Sequence, residues 1–170
     1  MVHREHLCAK TLQMPHVMNL VVKTVNKIRV GGRGLLHREF QEFLEEIEAE
    51  YTDIPYFMEV RWLSRGKIFE RFFLLRKEIA TFMEMLGEPV PELQIYSRVE
   101  DLAFLSDIVK HLNVLNQSLQ GVDKIITNMI DTVKAFMRKH DLWQKQMAQG
   151  NIENFQNFIL CEQYGLLMIW

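Results

Sequence analysis

Over most of this chain apolar residues recur at every third or fourth position, a period that commits it to amphipathic helices rather than strands. Met18, Val21, Val22, Val25 and Ile28 share one face of the first such segment. Leu36, Phe40, Phe43, Leu44, Ile47 and Tyr51 form the next stripe, with the acidic residues of 45–50 mostly on the other side. Ile68, Phe72, Leu75, Ile79, Phe82 and Leu86 follow, then Leu102, Leu105, Ile108, Leu112, Leu115 and Leu119. A last long stripe carries Ile126, Met129, Val133, Phe136 and Trp143.

Glycine, proline and small polar residues divide these stripes. Pro15 suits a helix start, because its missing N–H is not needed there. The run GGRG at 31–34 and the loop GEPVPEL at 87–93 interrupt the pattern, and Gly121 ends another helix. Ser64 is expected to cap a helix reaching about Leu86. Ser97 with Glu100 reads as a capping box, and Asn151 as the cap of a short final helix. Residues 51–62 (YTDIPYFMEVRW) depart from the pattern, and their proline, β-branched and aromatic residues favour a turn and a short extended piece. The expected fold class is therefore mainly α, with one or two short β-strands. An isolated strand leaves its backbone groups unpaired, so such a piece needs a helix surface or the rest of a sheet.

The 170 residues suffice for one domain with a real core, and 48% hydrophobic against 25% charged residues is ordinary for a globular chain. A formal net charge of −2 exerts no global pull toward nucleic acid or anionic lipid, so any basic surface is local. Cys8 and Cys161 are far apart and form no CxxC, which argues against a zinc ribbon or disulfide framework and suits a reducing compartment. The N-terminal residues lack the apolar core of a signal peptide, and no apolar run approaches a membrane span.

Chemistry-bearing clusters are few. His3, His6 and Cys8 lie close together, but a metal site needs a further ligand and an ordinary polar helix start explains them. Glu45, Glu46, Glu48 and Glu50 look like a solvated face, and Asp101 and Asp107 read the same way. No GxSxG, glycine-rich phosphate loop or HExxH is present. The densest cluster is residues 58–73 (MEVRWLSRGKIFERFF), where Arg61, Arg65, Lys67 and Arg71 surround one junction beside Trp62. Arginine grips phosphate through a planar fork, tryptophan stacks on an unpaired base, and N–H groups behind Ser64 attract phosphate. The plain alternative pairs Glu59 with an arginine and places Trp62 in the core.

Several blocks in a fixed order then carry a resemblance: 3–10 (HREHLCAK), 21–29 (VVKTVNKIR), 33–51 (RGLLHREFQEFLEEIEAEY), 59–73 (EVRWLSRGKIFERFF), 88–93 (EPVPEL), 101–113 (DLAFLSDIVKHLN) and 118–121 (SLQG). Together they resemble the hAT superfamily of DNA transposases. The resemblance is closer to domesticated vertebrate descendants, the general transcription factor II-I repeat domain-containing proteins and BED zinc-finger relatives. It extends to about residue 150. It implies an RNase H-like core interrupted by a helical insertion, with His3 matching the second member of a CxxH motif. Arg61 and Trp62 match the RW motif, whose tryptophan handles an unpaired base. Leu36, in place of a capping asparagine, and Met58, in place of a small polar residue, depart from the pattern.

The family's acidic catalytic residues match nothing in this chain, so no enzyme activity is expected. Residues 1–63 are expected to be a remnant of the RNase H-like core, 64–150 part of the insertion and 151–170 a divergent tail. The expected function is non-catalytic binding by a domesticated fragment, with Arg61, Trp62, Ser64, Arg65 and Lys67 as nucleic-acid contacts. The expected partners are DNA, a nuclear protein or a second copy, with no membrane, metal or cofactor and a nuclear or cytoplasmic location, the resemblance favouring the nucleus. The competing class is a helical protein-interaction module, or a truncated product with no selected function.

Overall fold

A computed structural model of the chain describes residues 14–56, 62–120 and 125–167, with side chains placed for all of these except 62–65 and 164–167. In chain order the helices are α1 (Pro15–Val30), α2 (Leu35–Glu46), α3 (Trp62–Leu74), α4 (Arg76–Met85), α5 (Tyr96–Ser118), α6 (Ile126–Ala148) and α7 (Gln156–Leu167). The mainly helical expectation stands. No strand occurs among the described residues, and the expected extended piece is irregular over 51–56, while 57–61 lie outside them. No helix among the described residues is long and apolar enough to cross a membrane.

Helix ends follow local chemistry. Pro15 opens α1 at its first position. The link from α1 to α2 is a single 3₁₀ turn, Gly31–Gly34, in which Gly32 (φ 60°) and Gly34 (φ 90°) take left-handed conformations that glycine adopts without a Cβ clash. The α2 stripe was expected to run to Tyr51, but the helix stops at Glu46. Glu48 turns left-handed (φ 51°), and the Ala49 N–H bonds back to the Leu44 carbonyl at 2.9 Å. This is a Schellman ending, which satisfies carbonyls the helix would otherwise leave bare. Gly87 and Gly150 close α4 and α6 in the same way.

The expected serine caps are corrected. Ser64 lies inside the first turn of α3, which begins at Trp62, and so cannot be its cap. α5 begins at Tyr96 with extended Ile95 in the capping position and no side-chain bond, because the 3₁₀ turn Pro91–Gln94 delivers the chain two residues earlier than expected. Asn151 accepts the Glu153 N–H at 3.1 Å, in the turn before α7 rather than at its start.

One apolar core joins these elements. α1 contributes Val17, Val21, Val25 and Ile28, α2 Phe40 and Leu44, and α3 Ile68, Phe69, Phe72 and Phe73. α4 adds Ile79, Phe82 and Met83, and α5 adds Leu102, Ala103, Leu105 and Val109. Phe40 meets Phe82 edge-on at 5.0 Å between ring centres, fixing α2 against α4. α3 lies along α5, and Gly66 allows that approach: a Cβ there would fall 1.7 Å from Asn113 Nδ2. Beyond residue 150, in the segment expected to be a divergent tail, α7 packs on α5 with Phe155 and Cys161 buried. α6 is the exception. Of its expected core positions only Trp143 is buried, while Ile126 and Val133 are exposed.

Candidate nucleic-acid interface

The arginine–tryptophan junction follows the loop of residues 51–56, and Arg61 lies outside the described residues. Trp62, Ser64 and Arg65 occupy the first turn of α3, where the backbone alone is described. One turn later Lys67 is exposed and makes no ion pair among the described residues. Its neighbours Ile68 and Phe69 are buried, so the helix presents Lys67 on its solvent side.

The junction's fourth cation is engaged elsewhere. The Arg71 guanidinium sits 3.6 Å from the centre of the Tyr51 ring and donates to the Asp53 carbonyl at 3.2 Å. Both contacts hold the loop 51–56 against α3, so Arg71 positions the approach to the junction. The neighbouring Glu50 carboxylate raises the pKa of the Tyr51 phenol above the ordinary value.

Asp53 anchors the same loop from the other side. Its carboxylate accepts from Arg29 at 3.0 and 3.2 Å, meets His37 Nε2 at 2.8 Å, and accepts the N–H of Ile54 at 2.7 Å. Arg29 and His37, from α1 and α2, also touch each other, and Arg29 lies 5.8 Å from the Tyr56 ring centre. Three chain segments thus meet at one half-buried carboxylate, and its oxygens are occupied. Sequence reading missed this node because its members are separated by up to 24 positions.

The two aspartates on α5 have different environments. Asp101 accepts from His16 at 2.9 Å at the surface. Asp107 is 2% exposed, which corrects its reading as part of a solvated face. Its carboxylate accepts the N–H groups of Asn157 at 3.2 Å and Phe158 at 3.0 Å, capping α7 from outside that helix. Beside it Asn157 Nδ2 donates to Ser106 Oγ at 3.0 Å. Burial pushes the Asp107 carboxyl above its ordinary 3.8, and the two backbone donors pull it back in part. The signal was present in residues 102–109 (LAFLSDIV), where Ser106 and Asp107 interrupt an apolar run.

His111, one turn further along, lies 4.1 Å from the Trp143 ring centre and bonds the Asn154 carbonyl at 2.9 Å. Burial lowers its pKa below the ordinary 6.5. No three His, Cys, Asp or Glu side chains among the described residues are grouped as metal ligands, and His3, His6 and Cys8 lie outside those residues. An open cleft of about 820 Å³ separates α1 from the proline loop, with Lys23 and Lys27 on one wall and Glu88 and Glu92 on the other. The 2.6 Å pair between Lys27 and Glu88 bridges it.

Residues 1–148 match the family model described as the FAM200/GTF2IRD2 helical domain. General transcription factor II-I repeat domain-containing protein 2 of Bos taurus is 44% identical over 154 residues, covering 91% of this chain and 16% of that protein. The protein of the same name from Mus musculus is 43% identical over 154 residues, with the same coverage. The chain thus spans 16% of the length of these relatives. No solved structure gives a significant match. A family model covering residues 1–148, laid over the helical architecture described above, places the chain in the FAM200/GTF2IRD2-like family.

Proposed function

We propose that this chain is a non-catalytic, domesticated hAT-transposase fragment that binds nucleic acid or a nuclear protein partner. In this reading residues 1–63 derive from the RNase H-like core, 64–150 from its helical insertion, and 151–170 form a divergent tail. The contacts are Arg61, Trp62, Ser64, Arg65 and Lys67. The observation that carries the reading is the division of labour among the junction's cations. Arg71 is consumed in holding the loop 51–56, whereas Lys67 faces solvent with no ion pair among the described residues. A cation held at a surface without a counter-charge is available to a phosphate. The relatives' names, which include the words general transcription factor, support a nuclear setting.

Fluorescence anisotropy with labelled single-stranded DNA tests it. Arg61→Ala combined with Trp62→Ala removes one phosphate contact and one stacking platform, and is expected to weaken binding by about tenfold or more without unfolding the chain. Phosphate contacts from Arg61, Arg65 and Lys67 give an expected slope of log K against log salt of about −2. Unchanged binding in the double variant sinks the nucleic-acid reading.

The second reading, a helical protein-interaction module, is favoured by α6, in which no residue from Ile126 to Leu142 is buried despite the apolar stripe.

A further inference from the structure

The cleft between α1 and the proline loop is bridged at two points and open between them. Toward its C-terminal end α1 sends Lys27 across to Glu88 at 2.6 Å, and in its first turn His16 meets Asp101 of α5 at 2.9 Å. Between these pairs Lys23 lies one turn from Lys27 on the α1 wall, and Glu92 lies four residues beyond Glu88 on the other. Both are exposed, and neither makes an ion pair among the described residues. Helix geometry holds Lys23 on this side. His16, Leu20, Lys23, Lys27 and Val30 form one stripe, roughly 130° around α1 from the buried stripe of Val17, Val21, Val25 and Ile28. Leu20 and Val90, both half-buried, give the cleft an apolar lining between its charged walls.

We infer that this cleft is a docking site for an extended segment of a partner protein that carries an acidic and a basic residue side by side among apolar ones. The inference deepens the protein-partner reading above, and none of the nucleic-acid contacts lines the cleft. Charge complementarity selects the occupant. The two lysines and two glutamates of the walls cancel, so the cleft exerts no net pull on a polyanion. A nucleic-acid strand would also press phosphates against the unpaired Glu92, and a peptide of one charge sign would meet repulsion from one wall. In an extended chain successive side chains point to opposite sides, so an adjacent acid and base address Lys23 and Glu92 together. The α1 wall from His16 to Lys27 is about 16 Å long, the reach of about five extended residues. A volume of about 820 Å³ is ample for their side chains.

The test is a phage-displayed library of peptides of about eight randomised residues, long enough to cross the cleft when extended, selected on the purified 170-residue chain. Enriched peptides are expected to carry an adjacent acid and base between apolar residues. As synthetic peptides they should bind with a Kd between about 10 µM and about 1 mM, as suits a contact well below standard interface size. Lys23→Glu should weaken the best peptide by about tenfold, since it sets like charges face to face. Lys23→Glu combined with Glu92→Lys should instead favour that peptide with its acid and base exchanged, because each charge again meets its opposite. Circular dichroism of each variant monitors the fold, which these exposed positions do not carry. A library that yields no binder overturns the proposal, as do binders of one charge sign or binders indifferent to Lys23→Glu. Self-association of the chain that Lys23→Glu abolishes would assign the cleft to a second copy and overturn it too. Loss of single-stranded DNA binding in Lys23→Glu would put nucleic acid there, with the same result. Arg61→Ala with Trp62→Ala, outside the cleft, should leave peptide binding unchanged, so the junction reading and this one fail separately.

Discussion

Asp107→Ala is the perturbation from which the most can be worked out. The carboxylate is 2% exposed and accepts two N–H groups at the start of α7, so alanine leaves both without a partner and opens a small void. Hydrogen bonds to a charged group are worth about 1.5–3 kcal/mol each, and removing one partner exposes the desolvation cost of the other. Relief from burying a carboxylate offsets part of that loss. The net cost should be about 2–4 kcal/mol, or roughly 5–15 °C in melting temperature for a chain of this size. Asp107→Asn keeps one acceptor but turns an NH₂ toward the other donor, and should fall between wild type and alanine.

The pH dependence has a definite sign. Burial raises the folded-state pKa above the ordinary 3.8, so the folded chain binds more protons across the window between those two values. Stability contributed by this group is therefore fully present below the ordinary value and is lost as pH rises through the folded one. The stability difference between wild type and Asp107→Asn should accordingly shift against wild type as pH rises across that window. Thermal and urea melts followed by circular dichroism measure both effects, and hydrogen exchange at Asn157 and Phe158 localises them. An alanine variant that melts within about 1 °C of wild type, with those amides still protected, would refute the cap.

Four further outcomes are expected. His111, whose pKa burial lowers, stabilises the fold above its ordinary 6.5 and loses that contribution as pH falls through its folded value. Acid destabilisation in that range should shrink in His111→Gln, as read by urea melts at several pH values. Gly66→Ala brings a Cβ to 1.7 Å from Asn113 Nδ2 and 2.9 Å from its Cγ, so it should cost about 1–2 kcal/mol despite alanine's better helix propensity. Adding Asn113→Ala should recover part of that loss in the same melt. Asp53→Asn removes the charge shared by Arg29 and His37, and should speed hydrogen exchange at the Ile54 amide, which bonds to that carboxylate at 2.7 Å. Glu48→Gly relieves a side chain held at φ 51°, and should raise stability by about 0.5–1 kcal/mol in denaturant melts.

Much of the architecture was legible because helix formation is a local matter. The stripe of Val21, Val25 and Ile28 and that of Ile68, Phe72, Leu75, Ile79 and Phe82 are buried as their spacing demands. Pro15 opens α1, where proline is welcome. The misreadings are of a different kind. Ser64 and Ser97 have capping chemistry, but both lie inside the first turn of their helices, which begin at Trp62 and Tyr96. The α2 stripe continues in sequence to Tyr51, yet the left-handed turn at Glu48 ends the helix, and Tyr51 instead carries the Arg71 guanidinium. The junction's cations were visible together in sequence, but only the fold separates Arg71, which positions the loop, from Lys67 at the surface.

What the sequence determined by itself is the set of helices, most of their inward faces and the family to which their order belongs. These depend on a period of three to four residues and on block order, both written along the chain. Tertiary structure alone decided that Asp107 caps a helix 50 positions away, that Asp53 gathers Arg29 and His37, and that the apolar stripe of α6 stays exposed among the described residues. An aspartate reads the same in sequence whether it faces water or a helix end. The difference is made by which segments the shared core brings within hydrogen-bond reach, and no local pattern encodes that.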